Sequence, residues 1–384
     1  MSQPAYTLRQ LIVYFLKLGT VGFGGPVALV GYMHRDLVEQ RKWISEDEYR
    51  EGLALAQLAP GPLAAQLSIY LGYVHYKIPG ATLVGLAFVL PSFLMVLALG
   101  YFYVASGGIP WMQAVFYGIG AAVIGIIAMG SYKLVKKTVQ KDWLYWGLFA
   151  LSAVATFVTE KEILWLVLAA GIVVWLVKAP PKTFKTANSI FGLPVLLQAA
   201  GSVAVNGKIA QICWFFLKAG AFVFGSGLAI VPFLYGGVVK EYQWLNDQQF
   251  MDAVAVAMIT PGPVVITVGF IGYLVAGFPG ACVAALATFL PCYFFTVIPA
   301  PYFRKYGGNP GIKAFVDGVT VAAIGAIAGA VAVLAKRQLT DVTTVIIAIV
   351  TVLLLLRFKK LQEPFIILGA ALLGLLIKTI YHQL

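Results

Sequence analysis

Charge is scarce in this sequence. Asp, Glu, Lys and Arg make up 11% of its 384 residues, against 61% for hydrophobic types. A soluble domain is about half apolar and about a quarter charged, and its buried volume grows too slowly with length to absorb such an excess. An ordinary soluble fold is excluded. Cysteine is equally sparse: Cys213, Cys282 and Cys292 form no CxxC pair, so redox and thiolate–metal chemistry have no foothold. Histidine is limited to His34, His75 and His382, with no HxxxH spacing and no His–carboxylate cluster along the chain. No GxxxxGK[ST] phosphate loop occurs. No cofactor, metal or enzymatic activity is expected. The amino terminus has neither a basic start nor a cleavage site, so its first apolar stretch is expected to remain as a span.

Long apolar windows are what the sequence has instead. They recur from Leu11 to Ile380, and many exceed the roughly 20 residues a membrane helix needs. The formal charge of +12 is no nucleic-acid signal, because the basic residues fall in short runs between apolar segments: Arg41-Lys42, Lys133 to Lys141, Lys178 to Lys185, Arg357 to Lys360. Such runs orient membrane loops. The lipid bilayer is the expected surrounding of an all-α, multi-pass integral membrane protein.

Self-comparison reveals two homologous halves. Phe15-Leu16-Lys17-Leu18-Gly19 recurs 201 residues later as Phe216-Leu217-Lys218-Ala219-Gly220. At the same offset Phe23-Gly24 matches Phe224-Gly225, Trp43 matches Trp244, and Pro60-Gly61-Pro62 matches Pro261-Gly262-Pro263. After one lost residue, Pro79-Gly80-Ala81 matches Pro279-Gly280-Ala281, and Gly118 and Gly125 match Gly318 and Gly325. The expected organisation is a membrane repeat over 1–185, a linker over 186–207 and a second membrane repeat over 208–384.

Each half reads as an interrupted helix (9–33; 210–238), a polar connection, and a helix broken at Pro-Gly-Pro (46–77; 247–276). Four apolar segments follow in each: 79–104, 110–134, 142–159 and 162–178, then 279–303, 310–335, 341–357 and 364–381. Ser45 with Glu48, and Asn246 with Gln249, have capping-box spacing at the start of each broken helix. The connection 34–50 carries Arg35, Arg41, Lys42 and Arg50, whereas 235–251 carries only Lys240. Under the positive-inside rule this gives the halves opposite orientations, an inverted-topology repeat. Segment 46–77 then becomes a re-entrant hairpin with arms of about 21 Å.

Helix breaks in an apolar segment survive only when buried in protein or lining a cavity, and matched breaks in two halves point to a transporter's binding site. The breaks here are Gly22 to Pro26 with Phe224 to Gly227, and Pro60 to Pro62 with Pro261 to Pro263. Pro26, Pro62 and Pro263 suit the first helical position. The N–H groups of Leu63, Ala64 and Ala65, and of Val264, Val265 and Ile266, are expected to face the gaps. Four helix amino termini at roughly half a charge each offer on the order of +2, matching a tetrahedral dianion. The candidate site comprises Lys17, Gly24, Gly25, Gln57, Pro60, Gly61, Gln66, Lys218, Gly225, Ser226, Thr260, Pro261, Gly262 and Thr267, with Ser68 nearby. Lys17 and Lys218 each sit inside an apolar helix, where lysine is costly enough to suggest function unless it snorkels to the interface. Glu51 and Asp252, a repeat-matched acidic pair, are expected on a solvated face. Gly325 and Gly329 form one GxxxG, compatible with internal packing or with a homodimer.

At FLKLGTVGFGGP (15–26), the stretch from Arg41-Lys42-Trp43 to Pro60-Gly61-Pro62, FLKAGAFVFGSG (216–227) and TPGP (260–263), the chain resembles the chromate ion transporter family. The resemblance implies its long, two-domain form: a bacterial plasma-membrane protein that exports chromate and confers resistance. Residue chemistry alone reaches an anion transporter, and sulfate, of the same charge and shape, stays open as a cargo for import. A dianion leaving an inside-negative cell gains about 4–5 kcal/mol per 100 mV, so export needs no ATP. A chromate reductase would need a cofactor motif or paired thiols, and a channel would not need paired midplane breaks.

Overall fold

The computed structural model describes residues 6–23, 25–105, 110–160, 164–180, 207–221, 230–303, 308–358 and 363–381. The first half contributes α1 (Leu8–Val21), α2 (Gly25–Met33), α3 (Glu46–Leu58), α4 (Leu63–Ala105), α5 (Pro110–Thr138), α6 (Trp143–Thr159) and α7 (Leu164–Lys178). The second contributes α8 (Lys208–Ala221), α9 (Ile230–Leu234), α10 (Asp247–Ile259), α11 (Thr267–Val297), α12 (Pro310–Gln338), α13 (Val342–Arg357) and α14 (Glu363–Tyr381). Among the described residues there is no strand. Most of the proposed linker lies outside them, as do Gly24, Gly225 and Ser226.

The repeat extends to the backbone. After α2 and α9 the helix widens into π-type segments, His34–Gln40 and Tyr235–Glu241, at matched positions. Left-handed backbone recurs at Lys42 and Gln243, at Gly61 and Gly262, and at Lys77 and Gly277. Both expected caps form: the Ser45 and Asn246 side chains accept from the N–H groups of Glu48 and Gln249, whose side chains accept in return.

Two consecutive reversals shape each half. In the first, α3 and the opening arm of α4 lie side by side, so that Gly52 meets the Tyr70 ring and His75 Nε2 lies 3.3 Å from Glu48 Oε1. Pro60-Gly61-Pro62 is the tip of this hairpin. The chain then turns at Lys77, where α4 departs from helical geometry. A Cβ on Gly72 would stand 2.4 Å from the Gly80 carbonyl oxygen, and one on Gly272 would stand 2.4 Å from that of Gly280. Only glycine lets the chain double back this tightly. The second reversal therefore separates 63–76 from 78–105, as the sequence pattern indicated.

The halves interlock. α5 packs against α13 and α14 of the other half, while its mate α12 packs against α6 and α7. Glycines sit at these crossings: the repeat-matched Gly118 and Gly318 face the Ala370 and Ala170 carbonyls, and Gly325 and Gly329 face the carbonyls of Phe149 and Ala153. The GxxxG pair thus serves internal packing. The outer arm of α4 meets both arms of α11: the Thr82 hydroxyl lies 2.8 Å from that of Tyr293 on the outer arm, and Gly100 lies against the ring of Tyr273 on the opening arm.

Charged groups collect at the helix ends. Glu160 pairs with Lys240 at 2.8 Å and Arg337 at 2.6 Å, and Arg337 also reaches Asp247. The Lys240 hydrogen bond, with Arg337 beside it, holds the Glu160 carboxyl below its ordinary range. Lys178 does the same for Asp142, the cap of α6. The flanks are apolar and open: Leu86, Leu90, Leu94, Leu353 and Leu372 are exposed, as on a surface that meets a membrane or another protein. Leu63–Ala105, Ala114–Lys136, Val264–Tyr302 and Pro310–Gln338 are long and apolar enough to cross a membrane.

One member of the acidic pair departs from the sequence expectation, while Glu51 is partly exposed. Asp252 is 4% exposed because the end of α4 covers it; its carboxylate accepts from the Tyr103 hydroxyl and the Gln248 amide, each at 2.8 Å. Histidine also finds carboxylates, His34 lying between Glu39 and Glu46. Among the described residues, no group of three or more His, Cys, Asp or Glu is placed to hold a metal.

Candidate functional site

A break in one half meets the hairpin tip of the other. The α1 helix ends at Gly22, whose carbonyl accepts the N–H of Gly262 at 2.9 Å. Ser92, on α4, donates to the Gly19 carbonyl at 3.3 Å. A Cβ on Gly262 would stand 2.0 Å from the Ser92 oxygen and 3.5 Å from the Gly19 carbonyl. Gly262 has φ +95° and Gly61 φ +142°, a region open to glycine at little cost. Glycine at both tips follows from backbone geometry and, at Gly262, from a neighbour at van der Waals contact.

Each tip restarts differently. After Pro62, α4 begins at once; after Pro263, a 3-10 turn over Val264–Ile266 precedes α11. The β-branched Val-Val-Ile run is stiff at χ1 and joins an α-helix less readily. Gln66 spans the first tip, its amide donating to the Pro60 carbonyl at 2.8 Å. Its Oε1 is buried and has no hydrogen-bond partner among the described residues, so a water or another hydrogen-bond donor can satisfy it.

The hydroxyls named from the sequence turn inward. Thr260 donates to Val256, Thr267 to Val264, and Ser68 to Ala65, each a carbonyl of its own segment. Their protons are spent locally, while their lone pairs stay available. Gln57 is exposed on α3. Gly25, with φ +71° at the start of α2, has a neighbour no repeat comparison finds: the Glu363 carboxylate lies 3.6 Å from where its Cβ would stand. The α2 amino terminus therefore has a carboxyl group beside it, a group whose ionised form a helix dipole favours there.

The lysines are not equivalent. Lys17 borders a cavity of about 360 Å³ together with Tyr14, Leu18, Val21, Gly22, Phe23, Tyr32, Arg35, Asp36 and Arg41. Lys218 is half-buried, its ammonium 5.6 Å from the Trp214 ring centre. Gly22 thus belongs both to the wall of a cation-lined cavity and to the meeting of the two halves. Ser92, Glu363, Arg35 and Arg41 were missed in the sequence as site residues. The only signals were the Pro91 beside Ser92 and the excess of arginine in the first connection.

A family model described as "Chromate transporter" matches residues 9–175 and 210–375. A "Chromate transport protein" of Cupriavidus metallidurans is 68% identical, the match covering 100% of this chain and 96% of that protein. A "Probable chromate transport protein" of Synechococcus elongatus is 64% identical, over 97% of this chain and 96% of its own length. No solved structure matches the chain at a significant level.

Proposed function

The chain belongs to the chromate transporter family, and from that premise we propose that it is a secondary transporter exporting chromate across the bacterial plasma membrane. The observation that carries the mechanism is the Gly262 N–H bond to the Gly22 carbonyl. It joins a broken helix of one half to the hairpin tip of the other, beside a cavity bearing Lys17. In this reading the site consists of Lys17, Lys218, Gln57, Gln66, the tips Pro60-Gly61 and Thr260-Pro261-Gly262 with Thr267, and the breaks at Gly24-Gly25 and Gly225-Ser226. The dianion exchanges its water for backbone N–H groups and lysine charge, and it displaces Glu363 from Gly25.

The two halves are inverted repeats with re-entrant hairpins. This is supported by the contact between equivalent arms out of register, Thr82 near the start of one meeting Tyr293 near the end of the other. It also rests on the charged ends, since Glu160 gathers with Lys240, Arg337 and Asp247 while Lys178 pairs with Asp142 at the opposite end of α6. Exchange between the halves then opens one shared site to each side in turn. Residues 1–185 and 208–384 form the two repeats of one transporting body.

The test is chromate flux in proteoliposomes holding the purified protein, with imposed voltage and a sulfate competitor. Efflux of the dianion is expected to accelerate with an inside-negative potential, at about 2.3 kcal/mol per charge per 100 mV. Voltage-independent flux, or sulfate carried in preference, would remove the proposed driving force or cargo. Lys17→Ala is expected to raise the chromate KM several-fold. Lys218→Ala is expected to change it less, since that ammonium already rests over Trp214. Unchanged flux in the double variant would make both lysines interfacial anchors.

A further inference from the structure

The cavity beside Lys17 differs sharply from its repeat-related position. On the first half it is framed by the π-type segment after α2, the kind of helix irregularity that often marks a functional site. Arg35 Nε donates to Asp36 Oδ1 at 2.8 Å, and the Tyr14 hydroxyl donates to Asp36 Oδ2 at 3.3 Å. Asp36 thereby anchors Arg35 through one donor of its guanidinium, leaving the others free to turn to an anion. Arg41 makes no ion pair among the described residues; it lies over the rings of Trp43 at 4.6 Å and Tyr14 at 5.5 Å. Lys17, Arg35 and Arg41 against Asp36 leave a net positive wall. At about 30 Å³ per water, the 360 Å³ volume holds about a dozen waters, enough for an anion with part of its hydration shell.

At the mates of these residues the chemistry is gone. Tyr14, Tyr32, Arg35, Asp36 and Arg41 correspond to Phe215, Phe233, Gly236, Gly237 and Tyr242. Phe215 stacks on Phe233 with ring centres 5.3 Å apart and meets Tyr242 and Trp244 edge-on. A Cβ on Gly237 would lie 2.0 Å from the Phe215 ring. Aromatic packing fills the space that the first half leaves open and cationic.

We infer that Arg35 and Arg41 form a one-sided capture port for tetrahedral dianions, which loads the transport site from the face of the 34–50 connection and has an aromatic plug as its counterpart. The inference rests on the transporter reading above, in which that face is cytoplasmic. A cleft lined by one sign of charge raises local anion concentration and on-rate. It acts before dehydration, so it favours capture without choosing between chromate and sulfate. Loading is fast from the side with the port and slow from the other, and the membrane potential supplies the net direction.

The experiment compares chromate uptake by inside-out and right-side-out membrane vesicles containing the full chain, at low and high ionic strength. In the wild type, the KM measured from the port side is expected to rise steeply with salt, because charges at exposed sites are screened, while the KM from the opposite side stays flat. Arg35→Gln with Arg41→Gln is expected to raise the port-side KM about ten-fold and abolish its salt dependence, with the port-side Vmax and the opposite-side KM retained and the opposite-side Vmax lowered in step, as detailed balance requires. Arg35→Lys with Arg41→Lys should restore most of the affinity. Equal salt dependence from both sides in the wild type would overturn the port without recourse to any variant, as would a KM that rises equally on both sides in the glutamine variant. Wild-type vesicles that move no chromate at all would overturn the transporter reading itself, a distinct outcome.

Discussion

Gly262→Leu is expected to reduce chromate flux about a hundred-fold while the protein still reaches the membrane. Two costs coincide at this residue. Its φ of +95° is a region where a side chain carries strain of order 1–3 kcal/mol. Its Cβ would also stand 2.0 Å from the Ser92 oxygen, and leucine extends further. The tip must withdraw from Gly22, breaking the 2.9 Å hydrogen bond that joins the halves. Displacing a binding constellation by about 1 Å costs on the order of a hundred-fold. Gly61→Leu meets only the flexible Gln66 side chain, 2.8 Å away, and should cost less. Combining Gly262→Ala with Ser92→Ala removes the 2.0 Å clash but leaves a tight 3.1 Å contact with the Cβ of residue 92 and the strain, so partial recovery over Gly262→Ala is expected. Flux in proteoliposomes, read beside thermal unfolding of the same preparations, separates a damaged site from a damaged fold. Full activity in Gly262→Leu would take the tip out of the transport path.

Much of this architecture is legible in the sequence, because glycine and proline act on the backbone directly. The Pro-Gly-Pro tips, the caps at Ser45 and Asn246, and the reversal before Pro79 and Pro279 all follow from local stereochemistry, and the structure has them in both halves. The aligned glycines Gly118, Gly125, Gly318 and Gly325 were visible as matches, but their partners were not, since a crossing partner is a tertiary fact. The site's surroundings were hidden for the same reason. Ser92, Arg35 and Glu363 come from α4, the first connection and α14, and no spacing rule joins them. Residue type left out the local partners of the hydroxyls of Thr260, Thr267 and Ser68. Each is a plausible donor to an anion, yet each bonds a carbonyl of its own segment, the usual recourse of such side chains in apolar helices. Asp252 looked wet because it lies near a capped helix start, and only the arrival of Tyr103 from the other half buries it.

The largest effect on assembly is expected at the crossing helices. A Cβ on Gly118 would stand 1.9 Å from the Ala370 carbonyl, and one on Gly318 would stand 2.5 Å from that of Ala170. Backbone oxygens cannot rotate aside, so Gly118→Leu and Gly318→Leu must push whole helices apart. Overpacking commonly costs 1–3 kcal/mol and sometimes more, against a total stability of about 5–15 kcal/mol. Membrane helices associate through close packing rather than through the hydrophobic effect, so the loss is not made up by burying the leucine. Because α5 is held by α13 and α14, and α12 by α6 and α7, neither half contains the main packing partners of its own copy of this helix. Residues 1–185 or 208–384 expressed alone are therefore expected to be degraded or to aggregate. Expressed together, they are expected to restore chromate flux, and Gly118→Leu in the first fragment should prevent it. The measurement is detergent-stable, monodisperse yield together with flux. A single half that proves monodisperse and thermally stable would show that the two repeats fold independently, contrary to the interlocked packing.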